Sequence, residues 1–210
     1  MSPRRPELGP FVGDGRSSRA RCERCALHVA DCMCAQVAPL ALGTRVIVFA
    51  HRREVHKTTG TARLVALALA NAEVRVVGLP EDRAHYGDLG AQPGRALVLF
   101  PSPQAVELTP AHAQRGPLTL IVPDGNWRQA RKIATKEPEL AALEHVRLPS
   151  GPPPLCRLRA HADPAALATF EAIARALGVL EGSAVRQQLE RVLALKVERV
   201  LRSRGPTGLR

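Results

Sequence analysis

Short apolar runs, each closed by a polar, proline or glycine position, alternate along the chain with amphipathic stretches. The β-branched run "TRVIVFAH" (44–51) predicts a buried strand, and "EVRVVG" (73–78), "RALVLFPS" (95–102), "LTLIVPDG" (118–125) and "EHVRLP" (144–149) predict four more. Between them, "TARLVALALANA" (61–72) has helix-forming composition, and "NWRQARKIATKE" reads as a helix stopped by Pro138. "DPAALATFEAIARALGVL" predicts a helix with Asp163 as N-cap and Pro164 at its first position. In "SAVRQQLERVLALKVERVLRSR", Val185, Leu189, Val192, Leu193, Val197 and Val200 form one apolar stripe, so that helix packs by a single face. Strands alternating with helices imply an α/β fold, a mostly parallel sheet with helices on both faces. Ligands of such sheets bind beyond the carboxyl ends of the strands. Three segments fall at such ends: "HRREVHKTTG", "FPSPQAVEL" and "PDGNWRQ".

Composition narrows the class. The 210 residues allow one domain with small appendages. The expected division is a basic tail over 1–20, a cysteine-rich knuckle over 21–40, a catalytic-size domain over 41–203 and a short tail over 204–210. The tail is rich in Pro, Gly, Ser and Arg and reads as disordered. Apolar stretches such as "LVALALA" fall far short of the roughly 20 residues a membrane span needs. No apolar segment resembles a secretory signal near the N-terminus, so a cytoplasmic protein without a membrane partner is expected. Thirty Lys and Arg against nineteen Asp and Glu leave a formal charge of +11, which points to a polyanion such as RNA. Aromatic residues are only 3%, so base-stacking platforms are expected to be scarce. Arg4, Arg5, Arg16, Arg19 and Arg21 would add non-specific affinity from the tail.

"CERCALHVADCMC" places Cys22, Cys25, Cys32 and Cys34 within one short segment. Four thiolates at this spacing can converge tetrahedrally on one structural zinc ion, and a cytosolic setting disfavours disulfides. His28 lies inside the loop but is not needed by a closed four-sulfur site. A redox pair or four unrelated thiols are the alternatives.

The most informative stretch is "PDGNWRQARK" (123–132). Asp124 emerges at the end of a predicted strand, Gly125 permits a sharp turn, and Asn126 is placed to cap the next helix. Trp127 shares a helix face with Ala130, Arg131 and Ala134, while Arg128, Arg131 and Lys132 form a basic stripe. Asp124 could serve as a catalytic acid–base group or as a helix-start carboxylate, and Trp127 could line a pocket or fill the core.

These residues resemble the Asp-x-Thr-Trp signature of the DTW-domain family, the tRNA-uridine aminocarboxypropyltransferases. The "CERC…CMC" knuckle, "HRREVHKTTGTARL", "LFPS", "CRLRA" and "ATFEAIA" follow in the family's order, over about residues 22 to 178. The resemblance implies a SPOUT-like, knotted α/β fold with an N-terminal zinc knuckle. It also implies transfer of the 3-amino-3-carboxypropyl group of S-adenosylmethionine to N3 of a tRNA uridine, releasing 5′-methylthioadenosine. Asp124 is then the expected general base, or a group that orients the co-substrate's amino group. Thr61, Phe100, Pro101, Ser102, Gly125, Trp127, Thr169 and Glu171 are expected around the co-substrate. Arg52, Arg53, Lys57, Arg128, Arg131 and Lys132, together with the knuckle, are expected to face tRNA, with the protein acting as a monomer. Four positions depart from the family pattern: Asn126 replaces the signature threonine, and Ala62, Ala168 and Ala160 replace Gly, Ser and Arg. A SPOUT-type RNA methyltransferase, a non-catalytic zinc-bearing RNA-binding protein, and a ribosomal RNA substrate are the competing expectations.

Overall fold

The structure is a computed structural model that describes residues 20–79, 86, 89, 94–156, 158 and 166–204. The predicted disordered tail, Asp163, Pro164, Ala160 and the C-terminal residues beyond 204 lie outside the described residues. Six strands form one sheet: β1 (Arg45–His51), β2 (Ala72–Val77), β3 (Arg95–Leu99), β4 (Val106–Glu107), β5 (Leu118–Asp124) and β6 (Glu144–Arg147). Their order is β2-β1-β5-β3-β6-β4 and every pairing is parallel. The helices are α1 (Ala62–Ala68), α2 (Trp127–Lys136), α3 (Pro138–Ala141), α4 (Thr169–Leu180) and α5 (Ser183–Arg204).

Strand β5 is buried at all seven positions because it pairs on both edges and is covered on both faces. Alternate side chains of the central strands therefore feed two cores. Val46, Val48, Leu97, Leu120 and Val122 pack toward α1, α4 and α5. Ile47, Phe49, Val98 and Ile121 pack toward Ala130, Ile133, Ala134 and Leu140 of α2 and α3. The predicted two-sided α/β arrangement is present, and each predicted strand falls within a residue or two of its forecast at the start. Strand β4 and helix α3 were not legible as runs of their own. Pro138 ends α2 as expected, then opens α3 at its first position, where a missing N–H costs nothing.

One helix start differs from the sequence expectation. Helix α4 begins at Thr169, after Ala168 in extended conformation, rather than at the Asp163–Pro164 signal. Tertiary bonds explain the shift. The Thr61 side chain accepts from the Phe170 N–H at 3.2 Å, and the Thr169 hydroxyl donates to Asp124. A cap from another segment thus replaces the local one that Ala168 lacks.

The apolar stripe of α5 also holds a surprise. Leu189, Leu193 and Val200 are buried as predicted, but so is Lys196, which is 1% exposed. Its Nζ donates to the Cys25 carbonyl at 2.7 Å, and burial brings its pKa down to about 8.

Sheet order decides where the chemistry sits. With β5 between β1 and β3, the three strand-end segments singled out in the sequence become neighbours, and Asp124 is at their centre.

Candidate active site

Asp124 is 9% exposed at the end of β5. Gly125 is required just after it, because a Cβ there would lie 2.7 Å from the Gln129 Cβ. The turn then closes in a capping box. Asn126 accepts from the Gln129 N–H at 2.9 Å, and Gln129 accepts from the Asn126 N–H at 2.8 Å. Asn126 thus performs the capping expected of it without the β-branch of threonine. Asp124 is no part of the cap and lines the cleft, where the Thr169 hydroxyl orients one of its oxygens.

That cleft is lined by Glu54, Thr61, Asp124, Gly125, Leu158 and Thr169, with Cys156 on its rim. Glu54 was not among the residues read from sequence, although it lies in the strand-end segment "HRREVHKTTG". It is 4% exposed and pairs with Lys57 at 2.5 Å. Two carboxylates, one of them paired with Lys57, therefore line one small space.

The expected co-substrate residues divide between two depressions. Thr61, Asp124, Gly125 and Thr169 line the acidic cleft. Phe100, Pro101, Ser102 and Trp127 line a neighbouring groove with Arg128, Arg131, Lys132 and Lys136. Trp127 is not core: it is 63% exposed and leans on Phe100, with ring centroids 5.0 Å apart. Ser102 is fixed from below by His145, whose Nδ1 lies 2.9 Å from the hydroxyl. The other ring nitrogen sits 3.2 Å from the Leu140 carbonyl, so it carries the proton and Ser102 donates to Nδ1. His145 escaped the sequence reading because it looks like an ordinary polar residue inside a short strand.

Glu171 stands behind the cleft wall, at 0% exposure. Its carboxylate accepts from Leu155 N at 2.8 Å, Cys156 N at 3.1 Å and the Arg175 guanidinium at 2.8 Å. Arg175 in turn donates to the carbonyls of Pro152 and Pro153. The pair therefore pins the 152–156 loop against α4. Glu171→Gln should cost about 1–3 kcal/mol or more, because it removes the buried charge that pairs with Arg175 and replaces one acceptor oxygen by an NH2 donor. Urea unfolding of the variant measures this directly.

The basic residues form one surface. Arg52, Arg53, Arg128, Arg131 and Lys132 are all exposed. The pKa of His51 is lowered mainly by burial and further by Arg53, Arg52 and Lys132, with Glu54 opposing, so Lys132 of α2 lies near the Arg52–Arg53 segment. Lys57 is half-exposed beside Glu54 and lies at the junction between the basic face and the acidic cleft.

At the N-terminal end, the sulfurs of Cys22, Cys25, Cys32 and Cys34 all lie within 4.8 Å of one another. The Cys22–Cys34 and Cys25–Cys32 separations are 3.7 and 3.9 Å. A tetrahedral site with metal–sulfur bonds of about 2.3 Å has edges of about 3.8 Å, so the four residues can hold one metal ion and are compatible with zinc. Burial pushes the Cys22 thiol up, but the N–H groups of Cys25 and Arg24 outweigh it and bring it to about 7. Burial raises Cys25 and Cys34. His28 is not part of the four-sulfur group. Arg63 ties this segment to the cleft: its guanidinium donates to the Glu23 carbonyl at 2.9 Å and to the Val55 carbonyl at 3.2 Å.

The model of the DTW domain matches residues 19–201. The chain belongs to the DTW domain family. Among curated relatives, the Drosophila melanogaster protein named tRNA-uridine aminocarboxypropyltransferase 2 is 30% identical over 195 residues, 89% of this chain and 77% of that protein. The protein of the same name from Macaca fascicularis is 27% identical over 174 residues, 78% of this chain and 57% of that protein. No solved structure matches the chain. Among the described residues no helix is long and apolar enough to cross a membrane.

Proposed function

We propose that this DTW-family protein transfers the 3-amino-3-carboxypropyl group of S-adenosylmethionine to N3 of a uridine in tRNA. The observation that carries the reading is the placement of Asp124, a buried carboxylate at the end of the central strand, in a cleft it shares with Glu54. S-adenosylmethionine brings a sulfonium and an ammonium against one carboxylate, a net positive charge compatible with a cleft lined by Asp124 and Glu54, with Lys57 adjoining. In the proposed reaction Asp124 takes the N3 proton of uridine as the nitrogen attacks the methylene carbon bound to sulfur. The carbon–sulfur bond breaks, its electron pair stays on sulfur, and neutral 5′-methylthioadenosine leaves. The sulfonium activates its own leaving group, so the protein's task is orientation and proton removal.

Thr169 fixes the carboxylate, and Thr61 fixes the start of the helix that carries Thr169. Zinc held by Cys22, Cys25, Cys32 and Cys34 would supply only structure, ordering a segment with little core of its own. A SPOUT-like knotted connection is part of the same proposal and draws support from the wholly parallel sheet with β5 inserted between β1 and β3.

Incubation with tRNA and carboxyl-labelled S-adenosylmethionine tests the reaction. Label should enter the RNA, and methylthioadenosine should accumulate in equal amount. Label entering only from the methyl carbon would instead mark a methyltransferase.

The basic face is proposed to hold tRNA phosphates. Charge reversal at Arg128 and Lys132 should weaken tRNA binding and flatten the slope of log affinity against log salt by about one unit per lost contact. Filter binding across a salt series reads both effects, and an unchanged slope would make the stripe an ordinary solvated surface.

A further inference from the structure

The groove beside the acidic cleft has properties that a binding site for S-adenosylmethionine does not need. Its floor is an aromatic pair, Phe100 buried and Trp127 exposed, with the rings tilted by 31°. One wall is the outer face of α2, which presents Arg128, Arg131, Lys132 and Lys136. None of these four cations forms a salt bridge with any described residue. By contrast, Arg45, Arg75, Arg95, Arg175, Arg186 and Arg202 all pair with carboxylates. Four cations without a carboxylate partner among the described residues thus line the groove beside Trp127, the one tryptophan of the sequence.

Charge separates the two depressions by ligand. S-adenosylmethionine has no phosphate and a net positive charge, its two cationic centres outnumbering its one carboxylate, so a groove walled by four cations is a poor match for it. A single-stranded nucleotide offers the reverse, a flat base for the indole and a phosphate for the cations. The transfer reaction also requires an unpaired base, because N3 of uridine lies on its pairing edge.

We infer that Trp127, backed by Phe100, is a stacking platform for an unpaired base of the RNA substrate, with the neighbouring phosphates on Arg128, Arg131, Lys132 and Lys136. This deepens the proposed function and rests on it for the identity of the RNA, but the site itself is testable without turnover. The platform lies three residues beyond Asp124, in the depression next to the acidic cleft.

Trp127 supplies its own probe, since no other tryptophan contributes to the emission. A short oligouridylate should quench the fluorescence of the full-length protein saturably, and salt should reverse the quench. Trp127→Ala should lower the affinity for a labelled oligouridylate roughly tenfold, within the range of one lost base stack, while Trp127→Phe recovers most of it. The indole is solvent-exposed, so neither variant threatens the fold. If methylthioadenosine quenches the tryptophan and competes with the oligonucleotide, the groove is an adenine pocket and the inference is overturned. Unchanged RNA affinity in Trp127→Ala would overturn it as well. Label transfer by the wild type without oligouridylate quenching would defeat this inference alone. Quenching without transfer would support it and defeat the transferase reading.

Discussion

Asp124→Asn should fold normally, bind S-adenosylmethionine only modestly more weakly because Glu54 still lines the cleft, and turn over roughly 10²–10⁴-fold more slowly, the usual cost of losing a general base. The substitution keeps the shape of the side chain and an oxygen for the Thr169 hydroxyl, but removes basicity. Helix capping would not be affected, because Asn126 and Gln129 satisfy each other without Asp124. That independence makes the experiment decisive. Loss of stability would show that the bond between Asp124 and Thr169 at the start of α4 serves structure rather than chemistry. Loss of co-substrate affinity at full stability would make it a ligand for the ammonium instead. Thr169→Val offers a graded companion: the base remains but its orientation loosens, so kcat should fall less than in Asp124→Asn while KM for the co-substrate stays near its wild-type value. Single-turnover rates at saturating tRNA and S-adenosylmethionine separate these cases.

Local signals made much of this site legible before any coordinates. The run "LTLIVPDG" had to be a buried strand, and Asn126 reads as a helix cap from residue type alone, while its partner Gln129 emerged only in the structure. The signals failed wherever a distant segment overrode a local one. Asp163–Pro164 is a sound helix start in isolation, yet α4 starts at Thr169 because Thr61 supplies the cap from across the sheet. Lys196 reads as a break in an apolar stripe, but its ammonium reaches a backbone carbonyl of the knuckle that sequence distance hides. Glu54 is one acid in a basic loop until sheet order places it across from Asp124. The division of the co-substrate residues has the same cause. Asp124 and Trp127 are close in sequence, but a strand end and a helix start turn their side chains into different depressions.

The other large effect concerns the metal. Removing zinc with a chelator, or replacing Cys22 by Ser, should release the knuckle and lower the melting temperature by roughly 10 °C or more. The magnitude follows from what the knuckle contributes. Cys25, Leu27 and Met33 are each no more than 2% exposed within the main core, and each buried side chain of this size contributes about 1.5–3 kcal/mol. For a chain of this length each kcal/mol moves the midpoint by about 2–4 °C. Release would also take the Cys25 carbonyl from Lys196 and the Glu23 carbonyl from Arg63, both in largely buried surroundings where a lost acceptor is costly. Because Arg63 also holds the Val55 carbonyl in the loop that carries Glu54, activity should decline along with the knuckle, through weaker co-substrate binding before any change in the chemical step. His28→Ala should retain the metal, since its ring is no part of the four-sulfur set. Metal analysis of freshly purified protein, combined with thiol titration, checks the premise: one zinc per chain with Cys22, Cys25, Cys32 and Cys34 protected is the expected result. Absence of metal with all four reactive, and no change in melting on chelation, would leave the knuckle held by packing, Lys196 and Arg63 alone.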